Sequence, residues 1–79
     1  MAKSITKTNV GAAGVAYDIY VTTDTGTKYA VRMLFKKEAD EKIISALFDA
    51  VRDENDLDKI DSTLRQKYGG RIAYVANVK

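Results

Sequence analysis

The fold of this chain is decided by a hairpin sequence, YDIYVTTDTGTKYAVRMLF, which occupies residues 17–35. Apolar side chains recur with a period of two before and after its centre, as they do in half-buried strands. Asp24 favours the start of a tight turn and Gly26 tolerates a left-handed conformation, so a short loop is expected between the strands. The second strand, residues 27–35, places one apolar set on a single face, which comprises Tyr29, Val31, Met33 and Phe35. On the other face Asp18 is expected to form a cross-strand salt bridge with Lys28 or Arg32.

The residues that follow the hairpin change to a helical period. From about Glu38 the apolar positions form one helical stripe, which consists of Ile43, Ile44, Leu47, Phe48 and Val51. Asn55 or Asp56 is a suitable N-cap for a second helix. The face of that helix is expected to contain Leu57, Ile60, Leu64 and Tyr68. Gly69 and Gly70 predict its end, because glycine accepts the left-handed residue that follows many helices.

The two ends of the chain complete the predicted architecture. Residues 71–79 alternate again as a third strand, with Ile72, Tyr74, Ala76 and Val78 toward the helices and Arg71, Ala73, Val75 and Asn77 away from them. This strand can join either edge of the hairpin. Residues 1–13 are predicted as a flexible or extended N-terminal arm. We therefore predict one α+β domain, residues 1–79, in which an antiparallel sheet of about three strands (ββααβ order) is covered on one face by two helices.

Composition limits the chemistry that this chain can perform. The 79 residues include neither cysteine nor histidine, which excludes thiolate metal sites, disulfides and every catalytic mechanism that needs an imidazole. The acidic run at residues 53–61 lacks the glycine and the final glutamate of a calcium-binding EF-hand loop. No apolar run is long enough to span a membrane, and the N-terminus lacks the apolar core of a secretory signal. We expect a cytoplasmic protein that is not an enzyme and has no metal or cofactor.

Charge is sorted along the sequence. Residues 38–61 contain nine acidic and three basic side chains, a formal charge of −6, whereas the rest of the chain carries +8. The helices are therefore expected to present an acidic partner-binding face made of Glu38, Glu41, Asp49, Asp53, Glu54 and Asp58. The uncovered side of the sheet is expected to be basic, and its candidate residues are Tyr20, Lys28, Arg32, Lys36, Arg71 and Asn77. Such an uneven field affects partners and encounter rates rather than the fold.

These features predict a small regulatory module that binds, and in one version inhibits, a larger protein or assembly. In size and composition alone the chain resembles small regulators of phages and mobile elements, including anti-CRISPR-type inhibitors, and this resemblance carries over no functional residue. The alternative is a nucleic-acid-binding domain that uses the basic sheet face and the arm, although the acids of residues 38–61 predict weak binding. Apolar residues on the sheet face also leave a homodimer open.

Overall fold

A four-stranded antiparallel sheet forms one layer of the protein, in a computed structural model that describes residues 2–9, 11 and 14–78. The strands are β1 (Ala2–Asn9), β2 (Val15–Thr22), β3 (Lys28–Phe35) and β4 (Gly70–Val78), and they lie in the order β1-β2-β3-β4. The α+β class and the antiparallel sheet were predicted. The predicted count of about three strands is one short, because residues 2–9 pair with β2 along their whole length. Positions 1, 10, 12 and 13 of the predicted arm lie outside the described residues.

The C-terminal strand joins the β3 side of the hairpin, which decides the pairing that the sequence left open. The two helices lie between β3 and β4 in the chain and cover one face of the sheet. They are α1 (Glu41–Ala46) and α2 (Glu54–Thr63), and α2 continues into a single wider π-helical turn, Leu64–Tyr68. Gly69 ends this turn in the left-handed conformation with φ 63°, as predicted.

The first helix is shorter than the predicted stripe of residues 38–51. Asp40 caps α1 by accepting a hydrogen bond from Lys42 N at 2.9 Å, so Glu38 precedes the helix. After Ala46 the backbone tightens, and the amides of residues 47–49 each donate to the carbonyl three residues earlier. With about three residues per turn, Phe48 and Val51 lie on one side and are both buried.

The N-cap of the second helix lies two residues before Asn55, the earlier of the two predicted cap positions. Asp53 occupies the N-cap position and accepts hydrogen bonds from Asn55 N at 3.0 Å and Asp56 N at 3.3 Å. The Asp56 carboxylate in turn accepts from Arg52 N at 2.9 Å. The prediction of Asn55 or Asp56 as the cap was wrong because an aspartate earlier in the run reaches the free amides of the first turn.

The hydrophobic core fills the space between the sheet and the helices. Alternate residues of β2 and β3 point into it, and the fully buried side chains include Tyr17, Ile19, Met33, Ile44, Phe48 and Leu64. The Tyr17 hydroxyl accepts from Ala39 N at 3.0 Å and donates to Ala39 O at 2.9 Å. This pair of hydrogen bonds fixes the segment before α1 against the sheet, which sets where the helical layer begins.

Candidate functional site

A β-bulge in β4 determines which of its side chains face away from the helices. Ile72 lies opposite Met33, but the next register pair is Tyr74 with Arg32, so Ala73 is the extra residue. Residues directly opposite each other project from the same face of a sheet. Tyr74 therefore lies on the helix-free side with 61% of its surface exposed. The prediction that Tyr74 faces the helices was wrong, because one extra residue reverses the alternation.

The bulge also changes the face of the sheet on which the side chains after Tyr74 lie. Val75 lies opposite Val31 on the helix side, where it lines a hollow with Leu57 of α2. Asn77 lies opposite the buried Tyr29, on that same side. Val75 and Asn77 were predicted to face away from the helices, and both predictions were wrong for the same reason.

The helix-free side of the sheet, here called the open face, carries an aromatic hollow. Its volume is about 410 Å³, and its lining residues are Asp18, Ile19, Tyr20, Ala30, Val31, Arg32 and Tyr74. Tyr20 lies opposite Ala30, and the small side chain of Ala30 lines the hollow beside the rings. Tyr20 is 58% exposed. Two exposed aromatic side chains thus border a shallow, mostly apolar depression.

An ion pair crosses the middle of the open face. Arg32 donates from Nε and Nη2 to the two carboxylate oxygens of Asp18, at 2.8 and 2.9 Å. The two residues are direct register partners on β2 and β3, which confirms the predicted cross-strand bridge. The hydrogen bond from Arg32 lowers the pKa of Asp18, and the same contact raises the pKa of the guanidinium. Most of the positive charge of Arg32 is therefore matched on the sheet itself.

The remaining basic candidates lie at the ends of the open face. Lys28 is at the start of β3, and Arg71 lies opposite Leu34 near the other end. Lys36 follows β3 directly and is exposed. The structure therefore places Tyr20, Arg32, Lys28 and Arg71 on one face, adds Tyr74 to them, and places Asn77 on the other side.

The acidic candidates fall into two groups over opposite edges of the sheet. In the group near β1, Lys3 forms an ion pair with Asp49, and its Nζ also donates to Ser45 O at 2.8 Å. Lys7 pairs with Glu38, which raises the pKa of the lysine. Glu41 lines the same hollow as Lys3 and Asp49. Basic residues of β1 thus neutralise part of this group, which the sequence could not reveal because the paired residues are 46 and 31 positions apart in the chain.

The second acidic group lies near β4. Glu54 and Asp58 line a hollow with Leu57 of the same helix and Val75 of β4. Asp53 is the N-cap of α2, and its carboxylate is used by two backbone amides. The six acidic candidates therefore share the helical layer, but they do not form one continuous surface.

The described part of the chain contains no cluster of three or more histidine, cysteine or acidic residues arranged to hold a metal ion. None of its helices combines the length and the apolar character that crossing a membrane requires. Comparison with protein-family models, with curated proteins and with solved structures finds no match for this chain.

Proposed function

We propose that this chain is a non-catalytic protein-binding module with a regulatory role, and that its partner contacts the open face. The observation that carries the proposal is the pair of exposed rings, Tyr20 and Tyr74, beside the aromatic hollow. Tyrosine is enriched at the energetic centres of protein interfaces, because a ring adds much contact area for little lost conformational freedom. A sheet face with two such rings has the composition of a binding surface.

The charges around the rings define the partner that fits. The Asp18–Arg32 pair is already neutralised, whereas Lys28 and Arg71 add positive charge near the two ends of the face. The matching partner is a protein surface with an apolar centre and carboxylates at its border. A module of this size that covers such a surface would prevent other molecules from binding there. Binding would inhibit the partner in this way.

The absence of catalysis is part of the proposal and has its own support. A general acid that works near neutral pH needs a raised carboxyl pKa. The carboxyl groups whose pKa is shifted, Asp18, Asp56 and Asp61, all have it lowered by hydrogen bonds from cationic or backbone donors. These groups are thereby fitted to ion pairing and to holding the backbone.

Nucleic-acid binding is the second candidate, and the position of Tyr74 favours it. Exposed aromatic rings on a sheet can stack on the nucleobases of a single strand, and nearby lysine and arginine side chains can contact its phosphates. Against it, Arg32 is already held by Asp18. The predicted nucleic-acid binding is weak and falls steeply as salt rises.

The test is capture of partners from the native host by tagged protein, with and without nuclease, followed by quantitative mass spectrometry. The decisive variant replaces both open-face rings, Tyr20→Ala with Tyr74→Ala. The matched control is Tyr68→Ala, because Tyr68 is also partly exposed but belongs to the π-helical turn of the other layer. We expect a nuclease-resistant protein that the wild type and the control retain and the double variant loses.

Other outcomes separate the alternatives. Capture that disappears with nuclease would favour the nucleic-acid candidate. Equal capture by the double variant would contradict the open face as the contact surface. Sedimentation over a range of concentrations tests the homodimer that the sequence leaves open, in which a second copy of this chain would cover the open face.

A further inference from the structure

A basic cleft lies at one end of the sheet, where β3 ends and β4 begins. Its volume is about 470 Å³, and it is lined by Leu34, Lys36, Arg65, Gly69, Gly70 and Arg71. Three of these six residues are cationic and none is acidic. The cleft is distinct from the aromatic hollow of the open face, with which it shares no lining residue.

Chain topology brings the three cations together. Gly70 and Arg71 lie opposite Phe35 and Leu34, so the start of β4 is held beside the end of β3 and the following Lys36. Arg65 belongs to the π-helical turn that leads into β4. Gly69 and Gly70 form part of the wall with backbone alone. A side chain at Gly70 would collide with the Phe35 ring, since an added Cβ would lie 2.4 Å from it.

Part of the charge of this cleft is not neutralised by the protein. Within the described residues, neither Lys36 nor Arg71 forms an ion pair, although the charge of Arg71 contributes to lowering the pKa of the nearby Asp61. Arg65 donates from Nε to Asp61 Oδ2 at 2.9 Å, which leaves its terminal nitrogens free to donate. Asp61 is itself fixed by a hydrogen bond from Ile72 N at 2.7 Å, so it orients the Arg65 guanidinium.

We propose that this cleft binds a phosphate group. Guanidinium groups present paired donors that match two phosphate oxygens, and a lysine adds a compact charge. Close cations repel one another, and a bound dianion would relieve that repulsion. The backbone wall at Gly69 and Gly70 leaves room for a tetrahedral group to approach. This inference does not depend on the proposed protein partner, because the two tyrosine rings that carry that proposal do not line the cleft; Arg71 alone belongs to both surfaces.

A phosphate group can arrive in two forms. One is free phosphate or a small phosphate ester. The other is the phosphodiester of a single strand, whose bases would then reach the tyrosine rings of the open face. The shared chemistry is the phosphate, and the two sources can be separated with two probes, inorganic phosphate and the oligonucleotide (dT)4 without a terminal phosphate.

The experiment is an NMR titration of the isotope-labelled protein with each probe, against sodium chloride at equal ionic strength. We expect saturable shifts that are concentrated at Lys36, Arg65 and residues 69–71. Each of Lys36→Ala and Arg71→Ala should weaken binding about tenfold, the loss typical of one charge-assisted contact. Arg71→Lys should retain part of the phosphate affinity that Arg71→Ala loses, because the charge remains while the paired donors are lost.

Matched controls lie on the helical layer. Lys42→Ala and Arg52→Ala remove the same charges at residues that do not line the cleft, and both should leave the phosphate affinity unchanged. Saturation by inorganic phosphate supports a free or monoester ligand, and saturation by (dT)4 alone supports a phosphodiester. The proposal is overturned if neither probe saturates, or if the control variants weaken binding as much as Lys36→Ala and Arg71→Ala.

Discussion

Asp61 connects α2 to the edge strand β4 through a hydrogen bond. Its carboxylate accepts from Ile72 N of β4 and from Arg65 Nε in the following helical turn. Burial alone would raise the pKa of Asp61, but these two hydrogen bonds together hold it below its ordinary value. A carboxyl with a lowered pKa stabilises the folded state where it is ionised and loses that contribution as it becomes protonated.

We predict that Asp61→Asn lowers the free energy of unfolding by about 1–3 kcal/mol at pH 7, the usual loss for a hydrogen bond to a charged group. The difference from the wild type should shrink as pH falls below about 4, where the aspartate of the unfolded chain and then that of the folded chain take up protons. Urea denaturation at several pH values measures it. Asp58→Asn, an exposed change on the same helix, should cost less than about 0.5 kcal/mol. A loss that is independent of pH would contradict this account.

At the scale of a single element, the strand β4 has an exposed edge that local features protect. It is an edge strand, and residues 72–78 carry no charge. Such an edge invites pairing with another strand unless it is protected. The bulge at Ala73 and the Asp61 carboxylate on Ile72 N both disrupt the edge at its first half.

Deletion of Ala73 tests the bulge directly. Ile72 and Tyr74 would become consecutive and would stay opposite Met33 and Arg32, so every other pair of the ladder is kept. We expect the free energy of unfolding to change by less than about 1 kcal/mol, and Tyr74 to remain on the open face. Urea denaturation and NMR contacts between the Tyr74 ring and Arg32 provide the measurements.

Deletion of Val75 is the matched control for the same strand. It would remove the side chain that lines a hollow with Leu57 and would exchange the faces of the residues that follow. We expect a larger loss, about 1–2 kcal/mol. Equal losses for the two deletions would show that the bulge does not set the register.

At the scale of the whole molecule, acids and bases lie mainly on different layers. Glu41, Glu54 and Asp58 are exposed on the helical layer, while Lys28 on the open face and Lys36 in the basic cleft form no ion pair with any residue that the structure describes. A charge separation of this kind orients an approaching partner and acts mostly on the association rate. Its reach is about 8 Å at physiological salt.

We predict that Glu41→Lys, Glu54→Lys and Asp58→Lys together accelerate association with the captured partner, because the helical layer would cease to repel its carboxylates. Surface plasmon resonance at low and high salt measures the rate, and the effect should fade at high salt. The two changes in first helical turns cost about 0.3–1 kcal/mol each, so melting is monitored in parallel.

Charge changes of opposite sign on the same layer provide the control. Lys42→Glu and Lys59→Glu should slow association. Slower association in the triple lysine variant would instead favour docking through the acidic candidates, the surface first predicted from the sequence, and would contradict the open-face proposal.

The sequence by itself determined the features that depend on neighbouring residues. Alternation fixed the hairpin of β2 and β3 and the faces of its side chains, since a strand repeats every two residues. Composition excluded imidazole and thiol chemistry. The helix stop at Gly69 and the salt bridge of Asp18 with Arg32 were also predicted correctly, because both follow from short-range geometry.

Tertiary structure decided what depends on residues far apart in the chain. The pairing of residues 2–9 with β2, the ion pairs of Lys3 and Lys7, and the basic cleft around Arg65 all join segments whose separation leaves no periodic signal. The bulge at Ala73 is the clearest case, because a single extra residue in one strand reverses every side chain beyond it. The sequence therefore predicted Tyr20 as part of the candidate binding surface, whereas only the tertiary structure showed that Tyr74 lies on the same face.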